Sequence, residues 1–166
     1  MKVFKFGGAS VKDAVGVKNL SSIIHQQHGQ LIVVVSAMGK TTNLLETLCN
    51  AYFHQDPKAT AIMKELKNFH LDIVNTLFPL NAPVYKHLEE LFTNLENILT
   101  SESSLCYDYE YDRIICFGEL ISTTIISDYL KMEGIENQFI DIRKFLKTDQ
   151  NYRNANIDLE LSLIHI

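Results

Sequence analysis

A lysine and two glycines near the N-terminus are the first residues whose types and spacing could do chemistry. Lys5 ends a short β-type run, and Gly7, Gly8 and Ser10 follow it. Glycine has no Cβ, so its backbone N–H groups can approach a ligand closely, and the lysine places a positive charge beside them. The pattern therefore predicts a phosphate cradle, although it is neither a Walker A loop nor GxGxxG. A solvated lysine before an ordinary glycine turn is the alternative, and the spacing alone leaves it open.

A second polar turn, residues 36–43, follows a continuous β-branched run at residues 31–35. The hydroxyl groups of Ser36, Thr41 and Thr42 could bind a small polar ligand. Thr41, Thr42 or Asn43 could instead cap the helix that follows, because small hydroxyl and amide side chains are common at that position.

Two strand–turn–helix units in succession predict an α/β fold with a mostly parallel sheet, because parallel neighbours are usually joined by a helix. Both polar turns then lie at the carboxyl edge of the sheet and face one crevice. We expect the run at 31–35 to be buried on both faces. Residues 139–142 are a third strand candidate, and the alternating segment 157–163 is a further one, with a frayed helix as its alternative.

The middle of the chain is predicted to be helical. Residues 42–100 carry apolar side chains at steps of three and four, and Pro79 and Pro83 mark the boundary between two helices. A further helix is expected at about 113–132, with Gly134 as its C-terminal cap. The acidic, tyrosine-rich segment 107–113 is interpreted as a connector without a chemical role.

Composition excludes several classes of function. The chain of 166 residues has a net charge of −5, 46% apolar residues and no basic cluster longer than Arg143–Lys144, so we expect no nucleic-acid partner. The apolar runs are too short to span a bilayer and no leader precedes the first strand, so we expect no membrane partner and a cytoplasmic protein. Three cysteines without CxxC spacing and six histidines without ligand spacing predict buried, reduced thiols and no metal site.

Three segments together resemble the signatures of the aspartate kinases, which are amino-acid kinases. Lys5-Phe-Gly-Gly-Ala-Ser10 is similar to the family's opening motif, Ser36-Ala-Met-Gly-Lys-Thr-Thr-Asn43 to its second, and Phe117-Gly-Glu-Leu-Ile-Ser122 to a third. They occur in the family's order over nearly the whole chain. The resemblance implies a three-layer α/β/α sandwich of the amino-acid kinase type with a mostly parallel sheet, present here in incomplete form.

The resemblance also implies ATP with Mg²⁺ as the phosphoryl donor and L-aspartate as the acceptor. In that interpretation Lys5 is the catalytic cation, and Gly7, Gly8 and Ser10 join it in holding the ATP phosphates. Further residues implied by the motifs bind aspartate: Ser36, Thr42 and Glu119, whose carboxylate pairs with the α-ammonium group.

The resemblance further implies that residues 1–166 are the N-terminal portion of a kinase catalytic domain, with a helical acceptor-side region at about 43–132. The family's later Gly-Ser-Asp motif, its substrate-binding arginine and its ACT regulatory domains are absent from the sequence. We therefore expect this polypeptide alone to lack appreciable kinase activity. The resemblance also implies that the parent enzyme is a homo-oligomer. The alternatives are another amino-acid kinase, such as an acetylglutamate or uridylate kinase, and a non-catalytic binding module.

Overall fold

The computed structural model describes residues 1–162 and consists mainly of helices around a small parallel sheet. Strand β1 (Lys2–Phe6) is followed by a 3-10 turn (Gly8–Val11) and helix α1 (Ala14–His25), and β2 (Leu31–Val35) leads into α2 (Thr41–Phe53). Four more helices follow in the described residues: α3 (Lys58–Leu77), α4 (Val84–Thr100), α5 (Tyr107–Ile115) and α6 (Phe117–Met132). Near the end of the described residues, the short strands β3 (Lys147–Thr148) and β4 (Ile157–Asp158) pair in antiparallel fashion.

Strands β1 and β2 pair in parallel, in the register Lys2 with Leu31 through Phe6 with Val35. Helix α1 is the crossover between them, and the Asp13 side chain caps it by accepting a hydrogen bond from the Gly16 N–H at 2.8 Å. The predicted α/β class with its parallel sheet is confirmed.

The core lies between the helices and one face of the sheet. All six described helices contribute large, fully buried apolar side chains to it: Leu20, Leu45, Leu48, Leu66, Leu88, Phe92, Leu95, Ile114, Ile121 and Ile125. Phe6, Val33 and Val35 pack against this core from the sheet, where α6 lies on β2. Burying this much apolar surface is the main force that holds the strands to the helices.

The other face of the sheet is open, so the prediction that residues 31–35 are buried on both faces is wrong. Ile32 and Val34 are each 45% exposed, and Val3 beside them is 60% exposed. Side chains alternate between the faces of a strand, and among residues 1–162 helices cover only the face that carries Val33 and Val35.

The third strand candidate, residues 139–142, is also wrong. Phe139, Ile140 and Ile142 are exposed, and a short 3-10 helix begins at Ile142. The Asp141 carboxylate accepts the Arg143 N–H at 3.1 Å and so turns the chain. Among the described residues no strand lies alongside to supply the ladder that an extended segment needs.

The segment 157–163 forms a strand only at Ile157–Asp158, because the Asp158 side chain accepts the N–H groups of Glu160 and Leu161 and bends the chain. Residue 163 lies outside the described part. The acidic segment predicted as a connector is instead helix α5, which ends at Ile115, so the predicted helix 113–132 is two helices that meet at Cys116.

The rest of the helical prediction is confirmed. Residues 42–100 form α2, α3 and α4, with the break between α3 and α4 at the two prolines, and Gly134 follows α6 with φ +79°. All three cysteines are free, but only Cys49 is buried, while Cys106 is exposed. No helix within residues 1–162 combines the length and the apolar character that crossing a membrane requires.

Candidate functional site

The first turn leaves its backbone open to solvent at Gly7. This residue is extended, and the Ser10 N–H donates to its carbonyl at 2.8 Å. A Cβ built on Gly7 would meet nothing within 4 Å, so there is free space beside the peptide. Gly8 is different, because a Cβ there would lie 2.6 Å from the Ala37 carbonyl oxygen. Gly8 therefore allows the two turns to touch, and Gly7 allows a ligand to approach.

Backbone hydrogen bonds join the two turns at the carboxyl ends of the parallel strands. The Gly39 N–H donates to the Gly8 carbonyl at 3.0 Å, and the Ser36 N–H donates to the Phe6 carbonyl at 3.1 Å. The structure thus brings the first motif and the second motif together at one edge of the sheet. This is the edge at which open α/β folds bind their ligands.

The third motif, at the start of α6, packs directly on the second turn. The Glu119 carboxylate accepts the Ala37 N–H at 3.2 Å, and the Ser122 hydroxyl, which is fully buried, donates to the Ser36 carbonyl at 2.8 Å. A Cβ on Gly118 would lie 2.8 Å from the Ala37 side chain, so glycine lets α6 come this close. The backbone of residues 36–37 is therefore held from both sides.

Glu119 is exposed, and it forms no ion pair with any cationic side chain within residues 1–162. One of its oxygens is bound to the Ala37 N–H. Its charge is thus fixed in position by a backbone contact yet remains free to attract a cationic group.

Lys5 lies on the open face of the sheet. Its partner in the strand register is Val34, and its side chain is exposed. Helix α6, which carries Glu119, packs on the covered face. The predicted cation and the predicted acceptor-binding carboxylate therefore belong to opposite sides of the sheet and can meet only at its carboxyl edge, where the two turns lie.

The second turn gives the three hydroxyl groups different environments. Helix α2 begins at Thr41, and Lys40 occupies the N-cap position without a capping side-chain hydrogen bond, so none of Thr41, Thr42 and Asn43 is the cap. The buried Thr41 hydroxyl donates to the Met38 carbonyl at 2.6 Å. Ser36 and Thr42 are half-buried.

A buried histidine beside this turn was not identified from the sequence. His70 on α3 is fully buried; its Nε2 lies 3.3 Å from the Thr41 hydroxyl and its Nδ1 lies 2.8 Å from the Leu66 carbonyl. Burial lowers the pKa of His70 to about 4. Helical periodicity was the available signal, because position 70 follows Leu66 by four residues and precedes Ile73 by three.

No group of three or more histidine, cysteine, aspartate or glutamate side chains in the described part of the chain is arranged to hold a metal ion. Arg143, the cationic residue that follows Asp141, bonds to Asp141 and to the Cys116 thiol, and no described contact joins it to Glu119.

Two linked turns at the carboxyl ends of parallel strands, with the start of α6 packed on the second of them, define an α/β protein with a candidate ligand site at the sheet edge. Residues 1–163 match the amino acid kinase family, and the chain belongs to that family.

Aspartokinases are among the proteins to which this chain is similar. It is 28% identical over 163 residues to the aspartokinase of Chlamydia pneumoniae, covering 98% of this chain and 34% of the relative. It is 31% identical over 164 residues to the chloroplastic aspartokinase 2 of Arabidopsis thaliana, covering 93% of this chain and 29% of the relative. The chain thus spans about a third of the length of the curated relatives it matches.

The fold is similar to that of a solved kinase. The structure of Escherichia coli aspartokinase III in complex with aspartate and ADP superimposes with a TM-score of 0.86 at 25% identity, covering 99% of this chain and 36% of that one. The predicted amino-acid kinase fold is therefore confirmed.

Proposed function

We propose that this chain carries the acceptor side and the phosphate-binding turn of an aspartate kinase. The reaction transfers the γ-phosphoryl group of ATP to the β-carboxylate of L-aspartate and gives 4-phospho-L-aspartate and ADP. A β-carboxylate oxygen forms the new bond to phosphorus, and the bond between the γ-phosphorus and its bridging oxygen breaks. The proposal rests above all on one observation, that the third motif is bonded to the second turn through Glu119 and Ser122.

The acceptor half of the proposal follows from charge and polarity. Glu119 is an exposed carboxylate without a cationic partner in the described residues, and the α-ammonium group of aspartate is a cation that would pair with it. Ser36 and Thr42, on the turn that Glu119 holds, offer hydroxyl groups to the substrate carboxylates. Similarity to a kinase solved with aspartate and ADP supports this assignment.

The donor half uses the first turn. We infer that the free space beside Gly7 admits the ATP phosphates, with Gly8 and Ser10 shaping the turn and Lys5 neutralising charge on the transferred group. Such catalysis is mainly positioning and electrostatic stabilisation. Mg²⁺ would arrive bound to the phosphates, since the described residues form no metal cluster of their own.

The chain covers about a third of its aspartokinase relatives, so we propose that it is the N-terminal portion of the catalytic domain, with residues 43–132 on the acceptor side. We propose that it binds ligands but transfers little phosphate alone, and that the full enzyme is a cytoplasmic homo-oligomer with regulatory domains elsewhere.

Calorimetry with a panel of acceptors tests the function. The purified chain should bind L-aspartate more tightly than L-glutamate, N-acetyl-L-glutamate or UMP, because only aspartate combines the ammonium group with a side chain of the right length. Mg-ATP should bind independently. Preference for another acceptor, or no binding of any of them, would overturn the proposed acceptor side. Robust formation of aspartyl phosphate would overturn the proposed inactivity of the chain.

A further inference from the structure

Helix α3 supports the second turn through two consecutive residues. A Cβ built on Gly39 would lie 3.4 Å from the ring of Phe69, so this ring packs against the turn at the residue where its backbone has φ +55°. The next residue, His70, contacts the Thr41 hydroxyl at the start of α2. Neither contact involves the residues assigned above to substrate.

The two ring nitrogens of His70 have different hydrogen-bonding roles beside the second turn. A carbonyl oxygen only accepts, so the Nδ1 atom that faces the Leu66 carbonyl carries the ring proton. Because burial keeps the ring neutral, with a pKa of about 4, Nε2 is then an acceptor and faces the Thr41 hydroxyl with a lone pair.

The Thr41 hydroxyl has one hydrogen and two acceptors within reach. The Met38 carbonyl, inside the turn, is 2.6 Å away, and His70 Nε2, on α3, is 3.3 Å away. One hydrogen serves both acceptors only as a shared, three-centre hydrogen bond, in which the shorter contact to Met38 is the stronger branch. All three groups are excluded from solvent, so any hydrogen bond between them is strengthened by the low local dielectric. The hydroxyl is therefore a link between the turn and α3.

We propose that His70 is a positioning residue: through the Thr41 hydroxyl it fixes the start of α2 and so the orientation of Thr42, the neighbouring residue proposed to hold aspartate. The inference rests on the proposed function, since it assigns His70 a part in acceptor binding. His70 does not touch the substrate in this account.

Two substitutions of His70 provide the test, because each replaces only one of the two ring nitrogens by an amide. In His70→Gln the side-chain amide reaches the place of Nε2, and its oxygen can accept from Thr41 as Nε2 does. In His70→Asn the amide takes the place of Nδ1 and reaches only Leu66. Both variants keep a buried amide at position 70. If His70 only filled space in the core, the two variants would therefore change aspartate affinity and amide exchange equally. His25→Gln, on the exposed side of α1, is the surface control.

Two readouts are measured on the full chain: aspartate affinity by calorimetry, and amide hydrogen exchange of residues 39–43 without ligand. His70→Asn should weaken aspartate binding about two- to three-fold, less than the loss of a complete hydrogen bond, and speed exchange in the turn. His70→Gln should keep the aspartate affinity and the exchange rates of the turn close to those of the parent chain. Equal behaviour of the two variants in the exchange readout would overturn the proposal.

A second pair of variants approaches the link from the other side. Thr41→Val removes the hydroxyl at constant volume, together with its bond to the Met38 carbonyl, so exchange should be at least as fast as in His70→Asn, and Thr41→Ser should leave it unchanged. Adding His70→Asn to Thr41→Val should cause no further change, whereas additive effects would show that His70 does not act through Thr41. If the parent chain fails to bind aspartate, the proposed function fails, while the ligand-free exchange still decides whether His70 positions the turn.

Discussion

One oxygen of the Glu119 carboxylate accepts the Ala37 N–H, and the carboxylate forms no ion pair among the described residues. A substitution can therefore remove the negative charge and keep this hydrogen bond. Glu119→Gln keeps an oxygen for the Ala37 N–H and removes the charge. We expect aspartate affinity to fall roughly ten- to a hundred-fold, as for loss of a charge-assisted hydrogen bond, with the melting temperature nearly unchanged.

Calorimetry and thermal unfolding of the same preparation check this prediction. Glu136→Gln, at an exposed position after α6, is the matched control and should leave both quantities unchanged. Equal aspartate affinity in the Glu119 variant and the parent chain would remove Glu119 from the acceptor site.

The two glycines of the first turn should respond differently to the same change. Gly8→Ala forces a methyl group to within 2.6 Å of the Ala37 carbonyl oxygen, so we expect it to destabilise the chain by about 1–3 kcal/mol. Gly7→Ala places its methyl group in open space, at backbone angles that alanine tolerates, so stability should be retained.

If that open space is the phosphate site, Gly7→Ala should nonetheless weaken Mg-ATP binding. Chemical denaturation and calorimetry of the two variants separate the roles. Unchanged nucleotide affinity in a stable Gly7→Ala variant would count against the phosphate-binding turn.

At this scale the sequence identified the motifs but not what joins them. Nothing in the spacing of residue 119 from residue 37 indicates that the Glu119 side chain meets the Ala37 N–H, because that contact depends on how α6 packs on β2. Gly118 and His70 owe their importance to the same packing. Their roles could be read only from distances in the folded chain.

At the scale of elements, the packing of α3 against α2 makes stability depend on pH. His70 has a pKa lowered to about 4 in the folded chain, against about 6.5 when unfolded. Between these values the unfolded chain binds a proton that the folded chain does not, so stability rises with pH across this window and is lost as pH falls through it. The full loss amounts to roughly 3 kcal/mol.

Denaturant unfolding at several pH values between 4 and 7 tests this dependence, with His70→Asn as the comparison. The parent chain should lose more stability than the variant as the pH falls through this window. Parallel pH profiles for the two proteins would contradict the assignment.

A helix can be predicted from its own sequence because its hydrogen bonds are local, whereas a strand also needs a neighbouring strand that the sequence does not reveal. Helices α2 to α4 were predicted from periodicity, because one apolar stripe on each helix meets the core. The segment at 139–142 was apolar enough for a strand, but a strand needs a partner, and Asp141 turns the chain instead. Short apolar runs do not reveal whether such a partner exists.

At the scale of the whole molecule, the open face of the sheet is an exposed apolar surface. Val3, Ile32 and Val34 lie side by side on it and are each at least 45% exposed. Adjacent apolar side chains of this kind favour association. We expect the chain to self-associate as its concentration rises.

Replacing Ile32 and Val34 together by threonine keeps the β-branched shape that suits a strand and lowers the apolar area. This double variant should shift sedimentation velocity profiles toward the monomer, and Val15→Thr, on an exposed position of α1, should not. Association that is unaffected by the double variant would place the contact elsewhere.

The central claim, that two linked turns and the start of α6 form an aspartate site beside a phosphate site, is tested most directly by residue-resolved NMR titration. L-aspartate should shift the backbone amides of residues 36–43 and 118–122, Mg-ATP should shift those of residues 7–10, and succinate, which lacks the ammonium group, should bind more weakly than aspartate. Aspartate shifts confined to other parts of the chain, or succinate binding as tightly as aspartate, would contradict the account.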